Sequence, residues 1–82
     1  MMTLNDAFAK RVRQILESKK MKLSHLEQAT GLYHSTLNCL MNGKYEASNF
    51  KTMALIIREL GLSMSEFFDS PVFDFDNFDF EQ

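Results

Sequence analysis

Five side chains able to make hydrogen bonds lie close together near the middle of the chain: His34, Ser35, Thr36, Asn38 and Cys39. The amide of Asn offers a donor beside an acceptor and can pair with N6 and N7 of adenine, while Ser, Thr and His make single contacts with base edges. No Arg stands among them to bind guanine with two hydrogen bonds. If the ligand is a nucleic acid, the set favours sites with A·T pairs.

Catalytic and metal-binding patterns do not occur in the sequence. There is no Gly-x-Ser-x-Gly motif and no glycine-rich phosphate loop, because the chain has only three glycines. His25, His34 and Cys39 lack the spacing of zinc ligands. The single cysteine cannot form an internal disulfide. We therefore expect a binding protein, not an enzyme, with no cofactor and no metal.

Two short helices that meet at a glycine are predicted to position the five polar residues. The first apolar stripe ends before Gly31, which is free to take a positive φ at a tight corner. The second stripe ends at Asn42-Gly43. When this stripe packs on the core, the five polar side chains of the same helix face outward. The two stripes are Leu23, Leu26 and Ala29, then Leu32, Leu37, Leu40 and Met41. A pair of helices with such a turn is the unit that places its second helix in the major groove of DNA.

The rest of the body also has helical signals. Thr3 and Asp6 predict the start of a first helix that reaches about Lys19, and Ser63 with Glu66 predicts the capping box of a last short helix. Between them, apolar spacing from Phe50 predicts a fourth helix along Phe50, Met53, Ala54, Ile57 and Leu60, with Ile56 outside this stripe. No strand pattern precedes residue 71. We predict an all-α, five-helix orthogonal bundle in one domain, residues 1–70.

Charge divides the chain into a body and a tail. Residues 1–68 hold all nine basic residues against six acidic ones, a net charge of +3, whereas residues 69–82 hold five acidic residues and no basic one. The tail, residues 71–82, alternates Phe with Asp, which predicts an extended segment with its Phe side chains on one face. So many exposed Phe side chains need a surface on which to dock.

Residues 4–68 resemble the Cro/phage-repressor (XRE) type of helix-turn-helix regulator. The matching elements are Leu26, Gly31, Leu37, Leu40, Asn42-Gly43-Lys44 and Leu60-Gly61-Leu62-Ser63 followed by Phe67-Phe68. The resemblance implies a lambda-repressor-like fold and puts His34, Ser35, Asn38 and Cys39 at base-reading positions, with Thr36 nearby. It also puts Ser24 and Lys44 at positions that contact the DNA backbone, to which Tyr45 and the corner lysines Lys19, Lys20 and Lys22 could add.

Two positions depart from the family pattern. Glu27 stands where Ala is usual in the first helix of the motif, so its carboxylate must turn outward or find a partner. Tyr33 replaces the Ser or Thr that usually caps the recognition helix, His34–Met41, which removes a cap worth about 0.5–2 kcal/mol.

These observations predict a sequence-specific, double-stranded DNA-binding transcriptional regulator, a repressor acting at an operator. The longest apolar run, Met53–Ile57, is too short for a membrane span, and the N-terminus lacks an apolar signal region, so we expect a cytoplasmic protein. An antitoxin-like or other protein-interaction module, whose tail binds a partner protein, stays open as the alternative.

A homodimer is expected because one helix-turn-helix reads only a few base pairs, and two-fold symmetry places two recognition helices about 34 Å apart. The interface candidates are Ile56 and Phe68 in the body and Phe73, Phe75, Phe78 and Phe80 in the tail. Three roles for the tail stay open: exchange onto a second subunit, which we favour, docking on the Lys-rich face, or recruitment of another protein.

Overall fold

The computed structural model describes residues 2–32, 37, 38, 41 and 50–78. Within these ranges four α-helices have defined bounds: α1 Leu4–Lys19, α2 Leu23–Thr30, α3 Phe50–Glu59 and α4 Met64–Phe68. Two 3-10 turns follow, η1 Pro71–Phe73 and η2 Phe75–Asn77. Of the predicted recognition helix, Leu37, Asn38 and Met41 are described, and all three are helical. The described part is helical and lacks strands, as predicted, whereas the orthogonal arrangement of five helices stays a prediction.

Helix α1 begins and ends where local signals predict. The Thr3 hydroxyl accepts a hydrogen bond from the Asp6 N–H at 3.1 Å, and the Asp6 carboxylate accepts one from the Thr3 N–H at 3.3 Å. The helix ends at Lys20, which takes the left-handed conformation with φ 54° and donates its N–H to the Glu17 carbonyl. The capping box thus satisfies two of the N–H groups that a helix leaves without intrahelical partners.

The core joins α1 to the other helices and to the recognition helix. Its buried members are Phe8, Val12, Ile15, Leu16, Leu26, Leu37, Met41, Ile56, Ile57, Leu60 and Phe67. Each large side chain that is fully buried stabilises the fold by about 1.5–3 kcal/mol relative to an exposed one. Helix α2 contacts α3, and α3 contacts α4. The described residues contain no helix with the length and apolar character needed to cross a membrane.

The buried face of α3 differs from the predicted one. Ile56 is 1% exposed and lies in the core, whereas Phe50 is 63% exposed. The core face follows the spacing i, i+3, i+4, i+7 counted from Met53 and not from Phe50. Because Leu55, Ile56 and Ile57 are all apolar, the pattern alone did not define the rotation of this helix. Ile56 is covered by its own chain, and its contribution to a dimer interface stays a prediction that this burial does not favour.

The tail folds back on its own chain and is not extended over residues 71–77. The Asn77 amide donates to the carbonyls of Pro71 at 2.8 Å and Val72 at 3.3 Å, which fixes the two 3-10 turns together. Pro71 at the start of η1 favours this turn because its φ is already fixed. Met2 donates its N–H to the Asn77 carbonyl at 3.0 Å and forms an isolated parallel bridge with Phe78.

The tail also does not place its Phe side chains on one face. Phe78 is buried with Val72 against Ala7 of α1, Phe73 is half-buried, and Phe75 is 79% exposed. Phe78 is therefore covered within one chain, and its assignment to a dimer interface stays a prediction. Phe80 lies outside the described residues. The boundary between a domain of residues 1–70 and a tail of residues 71–82 stays a prediction, and the structure packs η1 against α1.

Candidate nucleic-acid interface

The N-terminal end of α2 presents the first two predicted phosphate contacts. Lys22 directly precedes the helix, Ser24 lies in its first turn, and both are exposed. Nδ1 of His25 accepts a hydrogen bond from the Lys22 N–H at 3.1 Å and so caps the helix start. The first turn of a helix leaves N–H groups that attract anions. This cap was not predicted, although the i, i+3 spacing of Lys22 and His25 was an available signal for it.

The corner after α2 has the predicted geometry. Gly31 has φ 72°, in the left-handed region, and donates its N–H to the Glu27 carbonyl at 3.0 Å. The Thr30 hydroxyl donates to the Leu26 carbonyl at 2.5 Å and accepts from the Leu32 N–H at 3.3 Å. Leu26 itself is fully buried. The corner is thus fixed on both sides, and the contribution of Thr30 was not predicted.

The recognition helix has the predicted inner and outer faces where it is described. Leu37 and Met41, four residues apart, are 1% and 8% exposed, whereas Asn38 is exposed. The packing of two apolar residues against the core therefore directs the neighbouring amide outward. The remaining predicted contacts lie outside the described residues: His34, Ser35, Thr36 and Cys39 for bases, and Lys44 and Tyr45 for phosphates. The same holds for Tyr33, Leu40 and Asn42-Gly43.

Arg13 of α1 connects the first helix to the recognition helix. Its guanidinium Nη2 donates to the Met41 carbonyl. The two partners are 28 positions apart in the sequence, which explains why no local pattern indicated this contact.

Other basic residues of the helices also contact their own chain. Arg11 donates from Nε to the Phe67 carbonyl at 2.7 Å and from Nη2 to the Glu66 carbonyl at 2.9 Å. Arg58 forms an ion pair with Glu59 at 3.1 Å. Among the corner lysines, Lys19 extends toward Gly61, where a Cβ added to the glycine would lie 3.2 Å from Nζ. Lys20 and Lys22 remain as exposed charges at the corner between α1 and α2.

The carboxylate of Glu66 shows the effect of local hydrogen bonding. The Ser63 N–H donates to Glu66 Oε1 at 2.9 Å, and this bond holds the pKa of Glu66 below its ordinary value. The side chain of Ser63 and the positive charge of Lys19 act in the same direction, and desolvation opposes them. The predicted capping box of α4 is confirmed by these contacts. Glu27, the unusual acid of α2, is half-buried.

A second surface has a different character and is named here the apolar groove. It has a volume of about 260 Å³ and is lined by Leu4, Asn5, Phe8, Phe50, Met53, Phe68 and Phe73. Leu4 is 57% exposed, Phe50 63% and Phe68 37%. Phe68 and Phe73 were predicted interface residues, whereas Leu4 and Phe50 were not. The exposed Phe75 is not among the residues that line the groove.

Comparison with known proteins shows similarity to a protein-family model. The model of the Cro/C1-type HTH DNA-binding domain matches residues 11–71, which contain the Gly31 corner, the recognition helix, α3 and α4. Neither the curated proteins nor the solved structures gave a match. Among the described residues, no three His, Cys, Asp or Glu side chains cluster so as to hold a metal ion.

Proposed function

The chain belongs to the family of Cro/C1-type helix-turn-helix DNA-binding domains, and on this premise we propose that it is a sequence-specific regulator of transcription. It acts as a cytoplasmic repressor by occupying an operator in double-stranded DNA. The observation that carries this proposal is the outward position of Asn38 between the buried Leu37 and Met41, on the helix that follows the Gly31 corner. That position is open to base edges when the helix enters a major groove.

The proposed base contacts all come from the outer face of the recognition helix. The amide of Asn38 pairs with adenine, and the neighbouring side chains complete a site rich in A·T pairs. The residues assigned to base reading are His34, Ser35, Thr36, Asn38 and Cys39. The exposure of Asn38 supports the part of this assignment that concerns Asn38.

The proposed phosphate contacts surround this helix. Lys22 and Ser24 bind one phosphate group at the start of α2, where exposed side chains and the helix N-terminus favour an anion. Lys44 and Tyr45 bind the backbone beyond the recognition helix. Such contacts set the position of the protein on DNA and make its affinity depend on salt.

Two copies occupy one operator in this proposal. A palindromic site presents two half-sites about 34 Å apart, and two-fold symmetry places one recognition helix in each. Two copies are favoured because one recognition helix reads too few base pairs to define a unique site in a genome.

Selection of bound duplexes from a random pool tests the proposed function. We expect the full chain to enrich a palindromic consensus with A·T pairs at the centre of each half-site. Enrichment of no duplex would contradict the proposal and would favour the antitoxin-like or protein-interaction alternative. A chain that binds DNA without sequence preference would also contradict it, because base reading is its central element.

A further inference from the structure

Two arginines of α1 donate hydrogen bonds to backbone carbonyls of different elements. Arg11 binds the carbonyls of Glu66 and Phe67 in α4, at 2.9 and 2.7 Å. Arg13 follows two residues later, and its Nη2 binds the Met41 carbonyl of the recognition helix. Two residues differ by about 200° around a helix, so the two guanidinium groups leave α1 in different directions. Arg11 therefore joins α1 to α4, and Arg13 joins it to the recognition helix.

The described contacts of the recognition helix with the body are of two kinds. Leu37 and Met41 are buried in the core, and apolar burial has no preferred direction. The bond from Arg13 is directional, because a hydrogen bond weakens steeply when its angle departs from linearity. Apolar packing alone thus permits small rotations and shifts of the helix, and the bond from Arg13 restricts them.

A small rotation of this helix would change the position of Asn38. Side-chain ends lie about 5–6 Å from a helix axis, so a rotation of about 20° displaces them by about 2 Å. That displacement is most of a hydrogen-bond length, which is about 2.7–3.2 Å. Asn38 precedes Met41 by three residues, which is less than one turn. The bond from Arg13 therefore lies within one turn of the amide that faces outward.

We propose that Arg13 is a positioning residue for base reading: its bond to the Met41 carbonyl sets the angle at which the recognition helix presents Asn38 to the major groove. This inference rests on the proposed function and deepens it, because it concerns the geometry of the same site. Arg13 acts through the backbone of the recognition helix and contacts no base. Its contribution is to specificity.

The exposure of Arg13 makes a direct phosphate contact the competing role. Its side chain is exposed, so its charge is also accessible to DNA. A phosphate contact strengthens binding to every sequence and adds to the salt dependence, because phosphates carry no sequence information. A positioning contact instead changes the ratio between the affinity for the operator and the affinity for unrelated DNA. The bond that already holds the guanidinium on Met41 favours the positioning role.

Arg13→Gln and Arg11→Gln form a matched pair of variants. Each removes one positive charge from α1, so the general attraction to DNA should fall equally. Arg13→Gln removes the bond to the recognition helix, whereas Arg11→Gln removes two bonds to α4. Arg13→Lys keeps the charge and can again donate to the Met41 carbonyl. Circular dichroism first establishes that each full chain is folded, and Arg13→Met replaces a Gln variant that is not.

Fluorescence anisotropy measures the affinity of each variant for the duplex that the unaltered chain selects and for a scrambled duplex. We expect Arg13→Gln to reduce the ratio of the two affinities at least about fivefold, as weakening of one base contact would. Its salt slope should equal that of Arg11→Gln. Arg11→Gln should keep the ratio of the unaltered chain, and Arg13→Lys should recover most of it.

Two results would overturn the inference. One is an unchanged ratio for Arg13→Gln. The other is an equal loss of affinity for both duplexes, with a salt slope less steep than that of Arg11→Gln by about 0.9, which would assign Arg13 to a phosphate.

Hydrogen exchange without DNA distinguishes failure of this inference from failure of the proposed function. Arg13→Gln should accelerate exchange of the Leu37, Asn38 and Met41 amides more than that of the α4 amides, and Arg11→Gln should do the reverse. A chain that shows this pattern but selects no duplex supports Arg13 as the anchor of the helix and refutes the proposed function. A chain that selects a sequence but shows neither the pattern nor the change in ratio refutes this inference alone.

Discussion

The proposed DNA-reading surface, which includes the exposed residues Lys22, Ser24 and Asn38, differs from the apolar groove in the side chains that it presents to water. Around the Gly31 corner the apolar residues Leu26, Leu37 and Met41 are buried, and an amide and lysines face outward. At the groove the aromatic residues Phe50 and Phe68 face outward instead. The first surface suits a charged and hydrated ligand, and the second suits a partner that excludes water.

One small core supports both surfaces. Phe8 and Phe67 belong to the core, and Phe8 also lines the groove. Leu37 and Met41 belong to the same core and direct Asn38 outward. The two surfaces should therefore fail together when the core is damaged and separately when only their exposed residues are changed.

The largest effect is expected from damage to the shared core. Phe67 is fully buried and its ring lies 5.2 Å from the Phe8 ring, so Phe67→Ala should lower the free energy of unfolding by about 3–5 kcal/mol. Urea denaturation measures this change. Phe75→Ala is the control, and its exposed side chain should alter stability by less than about 0.5 kcal/mol. Similar losses in both variants would contradict the assigned core.

A smaller loss of stability is expected at the corner that precedes the recognition helix. Gly31 has φ 72°, and a Cβ added there would meet nothing within 4 Å, so Gly31→Ala carries only the conformational cost of about 1–2 kcal/mol. Thermal denaturation measures this cost. Gly31→Asn should lose less stability than Gly31→Ala, because Asn tolerates the left-handed region better than Ala does. If Gly31→Ala caused no loss of stability, the corner would not depend on a positive φ, which would contradict the role given to Gly31 in the helix-turn-helix.

The helical body and the tail differ in how far the sequence could predict their structure. The ends of α1, the Gly31 corner and the inward faces of Leu37 and Met41 follow from neighbours within about four residues, so local patterns were sufficient. The tail depends on contacts between Met2 and Phe78, which are far apart in sequence. Alternation of Phe and Asp fits a strand as readily as two 3-10 turns, and only the long-range contacts decide between them.

A change in salt dependence is expected at the start of α2. Lys22→Gln removes one exposed positive charge, so the slope of the logarithm of the binding constant against the logarithm of salt concentration should become less steep by about 0.9. Fluorescence anisotropy over a salt series measures the slope. Lys10→Gln, an equally exposed lysine of α1, should not change it if α1 lies away from the phosphates. Equal changes for both variants would indicate general attraction without a defined phosphate contact.

The smallest effect is expected at the cap of α4, beside the groove. Because the folded state lowers the pKa of Glu66, its contribution to stability is present above the ordinary pKa of Glu and is lost as the pH falls through the lower folded value. The stability advantage of the unaltered chain over Glu66→Gln should therefore shrink on acidification through this range. Urea denaturation at several pH values measures the difference. A difference that is constant with pH would show that the cap does not depend on the charge.

The central claim is that the recognition helix reads base pairs through the side chain of Asn38. The most direct measurement compares the consensus sequences that the unaltered chain, Asn38→Ala and Gln14→Ala select from one random pool of duplexes. Gln14 is an exposed amide on α1 and serves as the control. We predict that Asn38→Ala loses the preference at one position in each half-site, a discrimination of about 1–3 kcal/mol, and keeps the others. An unchanged consensus for Asn38→Ala would contradict the claim.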